Sequence, residues 1–480
     1  MNSYKKLMFG LVIFAGTFTS SCTKNFDTIN TDPNRIDEIS PGTLLNPIIY
    51  NVAGFNMLQA DDITFDLMQV ALNFPSPNGG LHRYDLSENI GNSTWNTYYR
   101  WLNNVKEMRN AAIKTSDPNY QAIAITLNAW IYSNLTDCFG DVPMTEASQG
   151  EEGILRPRFD TQKDIYTTLL SNLQTANTLY NINKPMIYGT EVLYGNNMTK
   201  WKKFTNSLRM RLLLRVSKRA EMNSWVELRS IIDNPATNPV FTSNDDGAIL
   251  KLTGITPLTS PWGRPIDFTT FRAAGKFFID SLNEMNDPRR ERWASQARAT
   301  NGTTIIGYSG IPSGYTGSES QFAFVPSNLN QALVTGGHIV PIMPYAEVEL
   351  IKAEVEHQRN NNAAAKVAYE KGVKASVEQW GAILPATYFT NSTAAYNGTL
   401  SRIMLQKYYA LFFVDFQQWF DYRRTGLPTL PVGAGMLNNK QVPVRFQYPI
   451  AVRTNNSQNY LKAVESVGPD KINTKLWWER

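Results

Sequence analysis

The sequence predicts a mainly α-helical protein, built from tetratricopeptide-like helix pairs with long irregular segments between them. One observation is that apolar residues recur at helical spacing in several long stretches. Another is that these stretches come in pairs, whose length approaches the repeat of about 34 residues found in tetratricopeptide proteins. A third is that segments rich in Gly, Pro, Ser and Thr separate the pairs. Periodicity alone leaves an irregular helical domain as the alternative.

The helical stretches begin at recognisable signals. Asp117 and Pro118 are a typical N-cap and first-turn pair, so a helix is predicted from Pro118 to about Leu135. The small residues of this helix can pack against the aromatic stripe of the preceding stretch, Trp95 to Lys114. The two stretches are therefore predicted to form an antiparallel helix pair. The other predicted helices are Ile48–Leu72, Thr161–Tyr180 with Asp160 as its cap, Met198–Lys218, Tyr345–Gln358, Ala363–Trp380 and Leu400–Tyr422.

Three long segments interrupt these pairs, at 233–275, 298–340 and 425–460. Loops of this length are usually functional or carry small strands. We therefore expect the helix pairs to form a scaffold and the insertions, around 233–340 and 425–460, to determine what the protein binds.

Composition argues against several classes of function. The 46 Lys and Arg residues exceed the 41 Asp and Glu residues by only five, and no basic run concentrates the charge, so no nucleic-acid partner is expected. Three histidines and two cysteines argue against a zinc cluster. HExxH, P-loop and GxSxG patterns do not occur. No catalytic residue, metal or cofactor is predicted.

The N-terminus has the features of a targeting segment. Lys5 and Lys6 precede an apolar run, and small residues lead to Cys22. This pattern is typical of a secretory signal and is too short to span a bilayer. The residues before Cys22 resemble a bacterial lipobox, which predicts a signal peptide over 1–21, a lipid on Cys22, a tether over 22–45 and one domain over 46–480. The alternative is an ordinary signal peptide that leaves Cys22 as a free thiol.

Seven stretches keep their order over nearly the whole mature chain: CTKNFDTINTDPN (22–34), LTDCFGDVPMTEA (135–147), WKKFTNSLRMRLLLRVS (201–217), PYAEVELIKAEVE (344–356), IMLQKYYALFFVDFQQWFDYRRTGLPTL (403–430), RFQYPIAVRTNNSQNY (445–460) and TKLWWE (474–479). Together they resemble the SusD/RagB family of nutrient-binding outer-membrane lipoproteins of the Bacteroidetes. Glu479 departs from the aspartate that is usual at the end of the family's SusD-like branch.

The resemblance implies a SusD-like α/α superhelix with four tetratricopeptide-like units and a variable ligand-binding side. It also implies a lipid-anchored protein at the outer-membrane surface, which passes a nutrient, most often a glycan, to a SusC-like TonB-dependent transporter. Two other classes remain open at this stage. A secreted all-helical glycoside hydrolase would need two carboxylates about 5 to 10 Å apart in a cleft, and a helical-repeat scaffold would bind only proteins.

Aromatic residues in the irregular segments are the candidate ligand contacts. Rings bind the flat C–H faces of sugars, and amide or guanidinium groups bond the hydroxyls. The alternative is that each ring fills the core beneath its loop, as we expect for Trp130, Trp201 and Trp419 inside the helical stripes. The predicted ligand contacts are Trp95, Trp262, Tyr308, Tyr315, Asn92 and Arg264.

The carboxylates and arginines in the motifs have simpler explanations than catalysis. Asp137 and Asp141 flank Gly140 in a turn, and turn chemistry is favoured over an acid–base pair. Asp421, Arg423 and Arg424 lie near a helix end, where a buried pair between Asp and Arg is favoured over a ligand site.

Overall fold

The computed structural model describes residues 39–76 and 80–480. The predicted signal peptide, the lipid on Cys22 and most of the predicted tether lie outside these residues. The described part is mainly helical, which confirms the predicted fold class, and the helices surround a continuous hydrophobic core. In the described part of the chain, none of the helices combines the length and apolarity that crossing a membrane requires.

The helices fall into long scaffold helices and short helices within the insertions. They are α1 (Pro41–Gln59), α2 (Phe65–Leu67), α3 (Asn92–Lys114), α4 (Pro118–Phe139), α5 (Gln162–Leu179), α6 (Met198–Arg215), α7 (Ser224–Asp233), α8 (Pro265–Thr269), α9 (Lys276–Glu284), α10 (Arg289–Trp293), α11 (Tyr345–Gln358), α12 (Asn362–Gln379), α13 (Leu400–Ala410), α14 (Gln417–Thr425), α15 (Ile450–Asn455) and α16 (Ser457–Val467).

The strands are short and antiparallel, as expected for small sheets carried by long insertions. They are β1 (Ala71–Asn73), β2 (Ala248–Leu252), β3 (Arg272–Ala274), β4 (Ala297–Ala299), β5 (Ile305–Gly307), β6 (Phe324–Val325) and β7 (His338–Met343). Strand β1 pairs with β3, β2 pairs with β7, and β4 lies between β5 and β6. These sheets connect the insertions to one another and, through β1, to the end of the first helical segment.

The pair of helices α3 and α4 forms where the capping signal placed it. Asp117 caps α4 by accepting hydrogen bonds from the backbone N–H groups of Asn119 and Tyr120 at 3.0 and 3.3 Å. Helices α11 and α12 approach closely at Gly372, where a Cβ atom would lie 2.8 Å from the Leu350 side chain. Small residues at such contacts let paired helices pack at short distance.

The predicted helix Leu400–Tyr422 is wrong in one respect, because the structure divides it into α13 and α14. Phe413 and Asp415 adopt left-handed backbone conformations between them, with φ of 66° and 35°. The buried Asp415 carboxylate accepts a hydrogen bond from the Asn134 amide at 3.0 Å and from the Phe416 backbone N–H at 2.6 Å. This tertiary contact takes the place of a helical turn.

Other helix boundaries also differ from the prediction. Thr161, and not Asp160, caps α5, since Asp160 instead accepts hydrogen bonds from the Met144 and Thr145 backbone. Helix α1 begins at Pro41, so residues 41–45, which the sequence assigned to the tether, form its first turn. The predicted helix Ile48–Leu72 is in fact α1, a π-helical turn at Ala60–Thr64, α2 and the start of β1.

Buried ion pairs hold the repeats together, as predicted for Asp421 and Arg424. The Arg424 guanidinium donates to both carboxylate oxygens of Glu354 in α11, at 2.5 and 2.8 Å, and to Asp421 at 3.1 Å. Asp137 pairs with Arg215 at 3.2 Å. Since all these groups are buried in the scaffold, they act as structural contacts and not as an open acid–base pair.

Gly140 supports the turn interpretation of the DCFGDVP motif. Its φ of 93° and ψ of −127° lie in a region that side chains disfavour. Asp141 accepts a hydrogen bond at 2.8 Å from the Gln162 backbone at the start of α5. The motif therefore connects the end of one helix pair to the beginning of the next.

Candidate functional site

We call four phenylalanines that are at least partly exposed the aromatic face: Phe74, which follows β1, and Phe271, Phe322 and Phe324, which lie in the insertions. The Phe74 backbone N–H donates to the Phe271 carbonyl at 2.9 Å, which extends the β1–β3 ladder by one pair. The Phe74 and Phe322 rings lie 6.2 Å apart, and Phe322 and Phe324 lie 6.1 Å apart. The rings thus come from three separate parts of the chain.

Phe271 is the most prominent member of the aromatic face. The residue is 70% exposed, and its φ of 57° is a left-handed conformation that non-glycine residues rarely adopt. A bulky residue that is held exposed in a disfavoured conformation is a feature that clusters at binding sites. The sequence alone placed Phe271 in a loop but did not identify it as a ligand contact.

Tyr315 supports the aromatic face from below. Only 4% of the residue is exposed, its hydroxyl donates to the Asn73 carbonyl at 2.7 Å, and its ring stacks on His82 at 5.2 Å. Its ring also meets Phe322 edge-on at 5.5 Å. The structure therefore places this predicted contact at the site, but as a buried support for the exposed rings.

Trp262 is likewise buried, with 8% of the residue exposed. Its indole N–H donates to Asp61 at 3.2 Å, and its ring packs edge-on against Phe268 at 5.2 Å and Phe413 at 6.1 Å. These contacts favour the alternative in which Trp262 fills the core beneath its loop. The side chain anchors the segment that ends at Phe271.

A charged cluster fixes the same segment from the other side. Arg272, next to Phe271, pairs with Asp61 and donates to Asp66 at 2.8 Å. Burial raises the pKa of Asp66 to about 6, although the Arg272 charge opposes this shift. Asp61 lies in the π-helical turn, which orients its carboxylate towards both Trp262 and Arg272.

The other two predicted contacts in the insertions are less buried. The Arg264 side chain is 76% exposed and pairs with Asp267 at 2.6 Å across the first turn of α8. Tyr308 is half-buried, with the Arg290 guanidinium 4.7 Å from its ring centre. Both can offer polar groups to a ligand that lies on the loops.

Trp95 and Asn92 lie at a second place, the N-terminal end of α3. Trp95 is 8% exposed and packs against Tyr99 at 4.9 Å and Phe139 at 5.1 Å. Trp95 lines an open cavity of about 290 Å³, which we call the Trp95 pocket. Asn92 does not line this pocket, and its side-chain amide donates to the Asn89 side chain at 3.3 Å. The Trp95 pocket is lined by Trp95, Tyr99, Pro143, Ala147, Ser148, Leu155, Pro157, Phe159, Ala451, Val452, Asn455 and Asn456.

The structure therefore divides the predicted contacts between two surfaces. Trp262 and Tyr315 support the aromatic face, while Trp95 belongs to the Trp95 pocket. Phe74 and Phe322 were missed by sequence reasoning, although both are aromatic residues at loop or strand ends. Over residues 39–76 and 80–480, no group of three His, Cys, Asp or Glu side chains is arranged to hold a metal ion.

A helix-pair scaffold that carries an exposed aromatic face on inserted loops defines a helical-repeat binding protein. A family model described as "SusD-like: starch-binding associating with outer membrane" matches residues 33–449. The match covers most of the 480 residues, and the chain belongs to this SusD-like family. The family is described by what it binds and not by a reaction, which agrees with the expectation of a binding protein.

Solved structures share the fold over almost the whole chain. A SusD homologue from Bacteroides fragilis NCTC 9343 superposes with a TM-score of 0.77 at 23% identity, covering 92% of this chain and 100% of its own. A chitin-binding SusD homologue from Flavobacterium johnsoniae gives 0.77 at 20% identity, with 92% and 98% covered. A structure described as a chitin-binding protein gives 0.78 at 23%, with 92% and 100% covered. Comparison with the curated proteins found no match.

Proposed function

We propose that this protein captures a glycan at the outer-membrane surface without chemical turnover and delivers it to a SusC-like TonB-dependent transporter. The observation that carries the proposal is an exposed aromatic face on the inserted loops of a chain that belongs to a starch-binding family. Two structural neighbours described as chitin-binding support a glycan as the ligand class.

The glycan would lie across the aromatic face. Phe271 offers the most exposed ring, and Phe74 and Phe322 extend the apolar surface beside it. Arg264 and Tyr308 would bond hydroxyl groups at the edges, since a guanidinium and a phenol are strong donors. In this proposal Trp262 and Tyr315 contribute by holding the rings in place.

The charged groups near the face favour binding over hydrolysis. Asp61 and Asp66, the buried carboxylates beside it, are both engaged by the same arginine, Arg272. A hydrolase would instead need one carboxyl that donates a proton and another that is free to attack or to activate water. A pure protein scaffold gives no reason for displaying exposed rings on the loops and not on the helix pairs.

Anchoring and delivery rest on the family resemblance and the lipobox. A lipid on Cys22 would hold the protein at the membrane, because none of the described helices provides a membrane crossing. Replacing Cys22 with alanine should move the protein from the membrane fraction to the soluble fraction. Affinity capture from a membrane extract should recover a TonB-dependent transporter, and its absence under conditions that preserve outer-membrane complexes would contradict the partnership.

A glycan array of the chain from residue 23 onwards, followed by calorimetry, tests the ligand class. We expect saturable binding of at least one oligosaccharide and no new reducing ends after prolonged incubation. Cleavage that disappears when a single Asp or Glu is replaced would overturn the binding proposal. Absence of binding to every glycan on a broad array would overturn the ligand class.

A further inference from the structure

The Trp95 pocket is not explained by the aromatic face. Three separate segments form it: the start of α3, the loop 143–159, and the junction of α15 and α16. Its volume of about 290 Å³ is at the lower end of the range of about 300 to 1,000 Å³ that ligand pockets usually have. A cavity of this size accommodates one small ring and not an extended chain.

The walls of the Trp95 pocket are fixed by hydrogen bonds between these segments. The Tyr99 hydroxyl donates to the Pro143 carbonyl at 2.8 Å. The Asn456 amide donates to the Pro157 carbonyl at 2.7 Å, and the Asn459 amide donates to the Arg156 carbonyl at 3.0 Å. Because the loop is already held against the helices, a ligand would meet a preformed site.

The chemistry of the lining selects a neutral, amphipathic ligand. No lining residue carries a charge, and the rings of Trp95, Tyr99 and Phe159 supply an apolar surface. Within the described part of the chain, neither the Trp95 indole N–H nor the Asn455 side-chain amide has a hydrogen-bond partner. Burying a charged ligand against such a surface would be costly, whereas a ring with hydroxyl groups and a flat C–H face suits it.

We propose that the Trp95 pocket is a second ligand site, which binds a single neutral pyranose ring independently of the aromatic face. The choice of a sugar rests on the proposed function, while the site itself rests on the pocket's shape and chemistry. Trp95 is thereby the ring-contacting residue of this pocket, and the Asn455 amide is the hydroxyl-bonding group. Asn92, which the sequence placed beside Trp95, has no direct part in it.

The test uses fluorotryptophan-labelled protein and ¹⁹F NMR. The Trp95 resonance is assigned with Trp95→Phe, and the protein is titrated with glucose, galactose, mannose, xylose and N-acetylglucosamine. We expect at least one sugar to shift the Trp95 resonance saturably, with a dissociation constant on the order of 1 mM, as is reasonable for one small ring. If none of the five sugars shifts the Trp95 resonance, even at sugar concentrations well above the expected dissociation constant, the proposal is wrong.

Two matched surface variants locate the binding without altering the core. Ala451 is exposed on α15 and lines the pocket, so Ala451→Tyr should fill it and weaken binding at least tenfold. Gln458 is exposed on α16 outside the pocket, so Gln458→Tyr should leave binding unchanged. Calorimetry on these variants gives the same comparison without resonance assignment. Equal sugar binding by both variants would contradict the proposed location.

A variant of the aromatic face separates this inference from the proposed function. Phe271→Gly should weaken oligosaccharide binding on the face and leave the Trp95 response unchanged. Loss of the Trp95 response in this variant would contradict independence. A Trp95 response without any binding on the aromatic face would support the pocket and overturn the assignment of the face.

Discussion

Replacing Phe271 by glycine should weaken glycan binding while leaving the fold as stable as before, or more stable. The residue is 70% exposed, so removing its ring takes little apolar surface out of the core. Its φ of 57° is a conformation that glycine adopts freely and that costs other residues about 1 kcal/mol or more. Relief of this strain should offset the small loss of packing.

The expected loss of affinity follows from the exposed area of the ring. A phenylalanine side chain can bury about 200 Å², so 70% exposure leaves about 140 Å² available to a ligand. If a sugar covers half of it, about 70 Å² at about 25 cal/mol per Å² contributes about 2 kcal/mol. This corresponds to a roughly 20-fold increase in the dissociation constant.

Calorimetry with a glycan identified on the array, together with urea unfolding, tests both halves of this prediction. The control is Ile383→Ala, which removes an 85% exposed apolar side chain after the repeat helix α12 and should change neither quantity. Trp262→Ala, unlike Phe271→Gly, should cost about 3 to 5 kcal/mol of stability. Unchanged affinity of Phe271→Gly would refute the assignment of the aromatic face.

Three further predictions concern stability and reactivity. Arg424→Met should lower the free energy of unfolding, measured in urea, by about 3 to 5 kcal/mol, because it leaves the Glu354 carboxylate buried without its partner. The double variant Arg424→Met with Glu354→Met should recover part of that loss. Burial raises the pKa of Asp66 from 3.8 to about 6, so the folded protein binds a proton at Asp66 more tightly than the unfolded chain does, and the stability that this group contributes falls as pH rises through that interval. Asp66→Asn should therefore make the measured decline in stability between pH 4 and pH 6 shallower. An equal decline in the variant and the parent protein would contradict this. Burial also raises the pKa of the Cys138 thiol. In a chain that begins at Thr23, and so lacks Cys22, Cys138 should react with a thiol reagent only when the protein unfolds. Rapid labelling of the folded chain would show that the thiol is accessible.

The scaffold could be predicted from the sequence because its signals are local. Asp117 starts α4 through hydrogen bonds from the backbone N–H groups of Asn119 and Tyr120, and the apolar periodicity of α3 is visible in that stretch by itself. Family motifs were also interpreted correctly where they describe packing, as with Asp421 and Arg424.

The features that the sequence did not reveal depend on contacts between distant residues. The break between α13 and α14 depends on Asp415 and Asn134, which are 281 positions apart. The burial of Trp262 depends on Asp61, 201 positions earlier in the chain. A loop tryptophan that stacks on a ligand and one that anchors its loop have the same local sequence, so only the partner distinguishes them.

The two kinds of aromatic residue in the insertions depend on each other. A loop that displays an exposed ring tends to collapse onto its own apolar surface, and here that tendency is satisfied by buried partners: Trp262 bonded to Asp61, and Tyr315 bonded to the Asn73 carbonyl. Because those rings are buried, Phe271 can be held outward in a left-handed conformation, with Arg272 fixed immediately beside it. It follows that changes to the buried anchors should reduce glycan affinity indirectly, through disorder of the face, whereas changes to Phe271 should reduce it directly and leave the loop in place.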